Sequence, residues 1–558
     1  MMVAALLAGC GGGSDPAKTG DDPTRQPAGS GGQASAAYLV TDVSTGLPGL
    51  EAHQLHLVDP ATGAVFKTIS VGAWSRYELA GPITPAANGQ GSTQGDASVL
   101  FFIRQLDDGQ RQLFQTPLVG DRAGTDITRI SNLTDACQIQ ETRVSRLDAV
   151  ASWLVVEVAG PDRLCDHTID NQFVLVRSDW GSAEPARDSP FGRHNVLVWE
   201  YNALGELAWI YGYSARFGAL GAINATTGDI RPVAGGVTGQ EVALFSPYPG
   251  NGHKMVVRVG QTLRVLSWSD GDATLGPVIA TLVNESIPFN VADDQGVYFV
   301  DGLTVRRIDP LGMSSIVATL PADGEVQYEG AQTPSSLLIV QGPGNIPAST
   351  GNGSGSGAAG GSVGAVPALP TTRLWSISKT GGAARVVETL PGTSSIFVAG
   401  MSGEAVVYGS RPSDDLNGGY VTLKRFVAND ASQAPATVAS GVRYLYGAGG
   451  GQVGLHGATA PSHLLWCEVA GQPDNCRLDR LRSYKLSTNQ VVELGPKPSA
   501  SVTLPSWDLN GDIDYVDSHG RGLLDVYVQD AGGVNRYVRM WWLVNLDQPQ
   551  SLQELSLP

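Results

Sequence analysis

The sequence predicts an all-β protein, and three observations carry that prediction. Glycine and proline are abundant, at 71 and 33 of 558 residues, while charged residues make up only 16%; such a composition suits many short strands joined by turns. From Tyr38 onward, apolar and alternating runs of strand length are separated by clusters of Gly, Asn, Asp and Pro. No segment keeps an amphipathic helical period over three turns.

Taken in order, the runs share one unit: two strand-like runs, a tight polar turn and a third run. "LHLVDPATGAVFKTI" from Leu55 begins the series. It is echoed by "LGAINATTGDIRPV" from Leu220, "VRRIDPLGMSSIVATL" from Val305, "RLWSISKTGGAARVVETL" from Arg373 and "SYKLSTNQVVEL" from Ser483. Asp59 and Asn224 are placed to bond the backbone two residues on, and Gly63 and Gly228 to supply the positive φ that closes the turn. Asn489 takes the glycine's place in the last unit. Looser members start at Ser98, Phe173, Leu263, Val421 and Leu523.

This makes about ten hairpin units at irregular spacing near fifty residues, the period of a β-propeller. Each small sheet exposes two faces that only its neighbours can cover, so the ring must close; Tyr38 to Val40 is expected to pair into the last blade. Seven to ten blades fit the count, and β-sandwiches in series are the alternative. "ASTGNGSGSGAAGGSVGAVPALP", about residues 348–370, has no strand or helix period and reads as a disordered loop inside one repeat. Read as an interdomain linker, it would divide the body near Pro370.

The first residues, "MMVAALLAGCGGGSD", hold an apolar run too short to span a bilayer, which takes about 20 residues. Leu7-Ala8-Gly9-Cys10 resembles the lipobox of bacterial lipoproteins, in which the cysteine becomes the lipidated first residue of the mature protein. No Lys or Arg precedes the run, where that family carries a positive segment; a start codon further upstream would supply it. The resemblance implies residues 1–9 as residual signal peptide, lipid on Cys10, a flexible linker over 10–36 and a folded body over 37–558. With Gly11 after the cysteine, it also implies an outer-membrane lipoprotein facing periplasm or cell surface. The repeats of the body resemble bacterial envelope propellers, such as the Tol-system and quinoprotein-like families.

The remaining four cysteines form two local couples, Cys137 with Cys165 and Cys467 with Cys476, as two disulfides in an oxidising compartment would. Alternatively they are buried thiols. Asp508, Asn510, Asp512 and Asp514 alternate in "WDLNGDIDYVD", and their oxygens converge on calcium if the backbone wraps as a loop. The run resembles an EF-hand or dockerin loop but has Ile513 at the glycine position and His519 at the bidentate glutamate position. Extended, the same carboxylates line a solvated face. His456 and His463 with Cys467 and Cys476 have zinc-ligand chemistry in no standard spacing. Trp541 and Trp542 occupy adjacent strand positions, so they face opposite sides; at least one is expected in the core, and the other is a candidate ligand-stacking ring.

A formal charge of −17 with scattered arginines argues against nucleic acid and against electrostatic docking on anionic membranes. The chain has no nucleophile elbow, zinc-protease, phosphate-loop or haem-attachment motif. The expected function is therefore a binding or assembly scaffold, lipid-anchored, with a protein or saccharide partner and no cofactor. The alternatives are a propeller enzyme, hydrolase or lyase, with a channel-facing site, and a calcium-dependent surface-binding protein.

Overall fold

Alternation of apolar side chains along short runs is what the chain turns into structure. The computed structural model contains forty-two strands and no helix longer than a single turn among the described residues. It describes residues 37–558 apart from 46–51, 74–76, 81–82, 86–91, 95–96, 110, 131–137, 148–151, 160–171, 178–186, 190–195, 202–206, 215–218, 225–226, 228, 234–241, 249–253, 284–289, 344–370, 393, 412–419, 449–461, 469–475, 478–479, 496–505, 509–512, 518, 530–536, 556 and 558. The fold is all-β, as expected.

The sheets follow one another along the chain and are antiparallel throughout. The first holds Leu39–Thr45, Ala52–Val58 and Val65–Gly72. Four-stranded sheets follow over residues 77–129, 138–189, 196–232, 242–281, 290–319 and 325–391, making the second to the seventh. The eighth has seven strands over residues 395–493, because Ala436–Ala448 is long enough to pair with Tyr420–Val427 at its start and His463–Glu468 at its end. The last sheet begins at Cys476–Arg477 and ends at Gln553–Leu555. A two-stranded ribbon, Ile83–Pro85 with Ser92–Gln94, stands apart.

Central strands are buried on both faces, and each face meets a different neighbour. In Val297–Asp301, Val297 and Phe299 pack on Val256 and Leu263 of the fifth sheet, while Tyr298 and Val300 pack on Leu337 and Ile339 of the seventh. Leu338 and Val340 face the eighth sheet through Ile396, Val406 and Tyr408. In Tyr537–Asn545 of the last sheet, Trp542 and Val544 meet Leu465 and Cys467 of the eighth, while Trp541 and Leu543 meet Leu39 and Val58 of the first. The last sheet thus packs on the first.

The turns form for the reasons read from the sequence. Asp59 Oδ1 accepts the Ala61 N–H at 2.7 Å, and Gly63 has φ +72°. Asp309 Oδ1 accepts from Leu311 and Met313, with Gly312 at φ +81°. Asn224 Oδ1 accepts the Thr227 N–H at 2.9 Å, three residues on and not the two expected, and Asn489 occupies the left-handed region at φ +61°; Gly228 lies outside the described residues. Asp270 and Gly271, both at positive φ, close a two-residue hairpin between Thr262–Ser269 and Asp272–Thr281.

Two expectations are corrected. Leu39–Thr45 pairs with Ala52–Val58 inside the first sheet and does not join the last, so the two ends of the body meet through side chains and not through a shared sheet. Trp541 and Trp542 are both buried, at 5% and 6% exposure, because both faces of their strand are covered; neither ring is open for stacking on a ligand. Around residues 348–370, the strands Ser336–Gly342 and Thr371–Ser378 are paired neighbours in one sheet, as a loop within a repeat requires and an interdomain linker does not. The loop itself is outside the described residues.

Candidate functional site

Lys379 and Arg385 bracket the turn of "SKTGGAAR", where strand Thr371–Ser378 gives way to Arg385–Pro391 in the seventh sheet. This turn borders a cavity of about 520 Å³ between the sixth, seventh and eighth sheets. The sixth sheet contributes Tyr298 from Val297–Asp301 and Arg307 from Thr304–Ile308. Ser335, ahead of Ser336–Gly342, and Ser378 add hydroxyls, and Ala428 and Asn429 of the eighth sheet form the far wall.

The charges are held in a definite arrangement. The Lys379 ammonium, almost fully buried, pairs with Asp293 at 2.5 Å and sits 5.4 Å from the centre of the Tyr298 ring. Arg307 donates from Nε and Nη2 to the Gln295 carbonyl, at 3.2 and 2.6 Å. Arg385 donates to the carbonyls of Asp430 and Gln433, both at 2.5 Å. Both guanidiniums are therefore fixed by backbone carbonyls, and neither ion-pairs with a carboxylate among the described residues. Burial, reinforced by the charge of Asp293, pushes the Tyr298 hydroxyl up to about 12, so it is a neutral donor at physiological pH. Glu404 is committed behind the cavity, accepting from the Ser335 N–H and the Thr333 hydroxyl, both at 2.8 Å.

A second polar cluster joins the eighth sheet to the last. Ser462 Oγ lies 2.8 Å from His463 Nδ1, His463 Nε2 lies 3.1 Å from Asp547, and Lys485 donates to both Asp547 oxygens at 2.8 Å. Burial lowers the His463 pKa against the opposing pull of Asp547. Burial raises Asp547, but its bonds to Lys485 and His463 outweigh that and hold it below the usual carboxylate range. The neutral ring that results can donate Nε2–H to Asp547 and accept at Nδ1 from the serine hydroxyl.

Among the sequence candidates, His463 belongs to this cluster. Cys467, on the same strand, is sealed in the core with Leu465 and Leu481. No group of three or more metal-ligating side chains occurs among the described residues. Cys10, Cys137, Cys165, His456, Asn510 and Asp512 lie outside the described residues. The strands Ser506–Asp508 and Ile513–Val516 fix the backbone of Asp508 and Asp514, whose side chains are not described; neither is that of Cys476. Tyr298, Arg307, Lys379, Arg385, Lys485 and Asp547 carry no local motif, being drawn together from several sheets. A lysine and an arginine flanking a Gly-Gly turn were the only signal.

No protein-family model matches the chain, and no curated protein does. Among solved structures it is similar to a Mycobacterium tuberculosis puromycin-hydrolyzing peptidase, at 12% identity, over 74% of this chain and 52% of that one, with a TM-score of 0.30. It is also similar to the β-propeller domain of the Trilobed protease from Pyrococcus furiosus, at 8% identity, over 76% and 99%, with a TM-score of 0.26. A third likeness is to Porphyromonas gingivalis dipeptidyl peptidase 4, at 8% identity, over 89% and 65%, with a TM-score of 0.35. The chain spans about half the length of the first of these. At that overlap no activity transfers to it.

Proposed function

We propose that the chain is a β-propeller that works by recognition at its rim, held at the cell envelope by lipid on Cys10. Support for the propeller is the packing of the last sheet on the first through Trp541, Leu543, Leu39 and Val58. The observation that carries the recognition reading is the cavity walled by three successive sheets, with charges pinned by backbone carbonyls. A cleft of this size with convergent polar groups is a default binding site. Its partner is a protein or saccharide of the envelope, and no cofactor is needed. The test is binding of the purified protein to arrays of envelope saccharides and peptides. A ligand lost on Ser378→Trp, which fills the cleft, is expected; binding untouched by that change would remove the cleft from function. Replacing Cys10 with Ser is expected to release the protein from the membrane fraction.

The oxidising location also rests on the disulfide reading, for Cys137–Cys165 and Cys467–Cys476. In favour of the second bridge, Cys467 is buried on His463–Glu468 and Cys476–Arg477 runs beside that strand. Calcium at Asp508, Asn510, Asp512 and Asp514 is a separate proposal, checked by metal analysis before and after chelation.

A hydrolase is the second reading, favoured by the Ser462–His463–Asp547 chain. Ser462 is exposed while His463 is buried, as a nucleophile and its base require. A fluorophosphonate probe should label wild type and not Ser462→Ala. Equal labelling of the two removes this reading.

A further inference from the structure

We propose that the cleft between the sixth, seventh and eighth sheets takes the carboxylate of an acidic saccharide, a uronate-type sugar. The inference rests on the recognition reading above and names its ligand class.

Charge comes first. Lys379 is paired with Asp293, and no carboxylate lines the cleft, which leaves Arg307 and Arg385 as its lining cations without an ion pair among the described residues; Asp430 acts on Arg385 only at longer range. An arginine has five donors. Arg307 spends Nε and Nη2 on one carbonyl, and Arg385 spends Nη1 and Nη2 on two, so each keeps donors for an incoming oxygen. Pinned guanidiniums lose little freedom on binding, and a planar carboxylate matches their geometry.

The rest of the wall bears on the choice of anion. Ser335 and Ser378 present hydroxyls, while Tyr298 is buried beneath Arg307 and Lys379, which lie 5.8 and 5.4 Å from its ring centre, and serves as floor. Hydroxyls that both donate and accept suit the vicinal hydroxyls of a sugar. The lining also holds Pro334, Ala383, Ala428 and Ala431, so an acidic peptide is the competing occupant that the test below separates from a sugar. The cavity, about 520 Å³, has room for a disaccharide.

The test uses the full-length protein in detergent, titrated with digalacturonate, neutral galactobiose and hexaglutamate. Digalacturonate should bind, weakening with salt, and Arg307→Ala and Arg385→Ala should each lower its affinity roughly tenfold or more, the effect of one charge-assisted contact. Arg385→Lys should recover part of the loss. Thermal unfolding of each variant separates lost contact from lost fold, and Arg307→Ala serves if Arg385→Ala does not fold. Equal binding of galactobiose would overturn the charge argument while leaving recognition intact. Binding of hexaglutamate alone would assign the cleft to a peptide. Binding of none of the three overturns the ligand class, and the array experiment then decides the recognition reading separately.

Discussion

At the scale of single residues, His463 shows how burial and partners set a property that the sequence does not display. Its folded pKa is lowered from 6.5, mainly by burial. The unfolded chain therefore binds the proton more readily, and stability from this site is complete above about pH 6.5 and declines as pH falls toward the folded pKa. Asp547, depressed by Lys485 and His463, adds a second loss at lower pH, below the ordinary carboxylate pKa. Stability measured by denaturant between pH 7 and pH 5 should fall in wild type and fall less in His463→Gln. Parallel slopes would show that another group carries the acid sensitivity. His56, also lowered by burial, contributes in the same direction and is unchanged by the substitution.

Elements are where the sequence was most readable. The hairpin from Leu55 forms between Ala52–Val58 and Val65–Gly72, and that from Arg373 between Thr371–Ser378 and Arg385–Pro391. A carboxylate bonding the backbone two residues on, followed by a residue at positive φ, is a local device, so a local window displays it. What a window could not display is the partner of an edge. A closed ring calls for an overlap, so Tyr38 to Val40 is expected in the last sheet, yet Leu39–Thr45 pairs with the strand that follows it in the chain. The Trp541 and Trp542 pair makes the same point. Alternation placed them on opposite faces, but only the neighbouring sheets show that both faces are covered.

For the whole molecule, the seam between last and first sheets is the decisive contact, since it joins residues from opposite ends of the body without a shared hydrogen-bonded ladder. Side chains must then carry it. Truncating Trp541 to Ala should cost about 3–5 kcal/mol and Leu39 to Ala about 2–5 kcal/mol. Residues in contact couple, so the double variant should depart from the sum by roughly 0.5–3 kcal/mol. Urea unfolding of the two single variants and the double variant measures this. Strict additivity would mean that the two sheets fold without sensing each other, and would count against a closed ring.

The candidate site was the least legible part. Lys379 and Arg385 were in view as part of a turn, but Tyr298, Arg307 and the carbonyls of Asp430 and Gln433 come from other sheets. Asp293 neutralises Lys379 and Glu404 caps Ser335, pairings that join different sheets. Strand period, turn chemistry and the succession of hairpins follow from the sequence by itself, because each depends on residues a few positions apart. Which sheet covers which, and which polar groups meet in the gaps, was decided only by the tertiary structure, because those contacts join residues whose separation along the chain bears no relation to their distance in space.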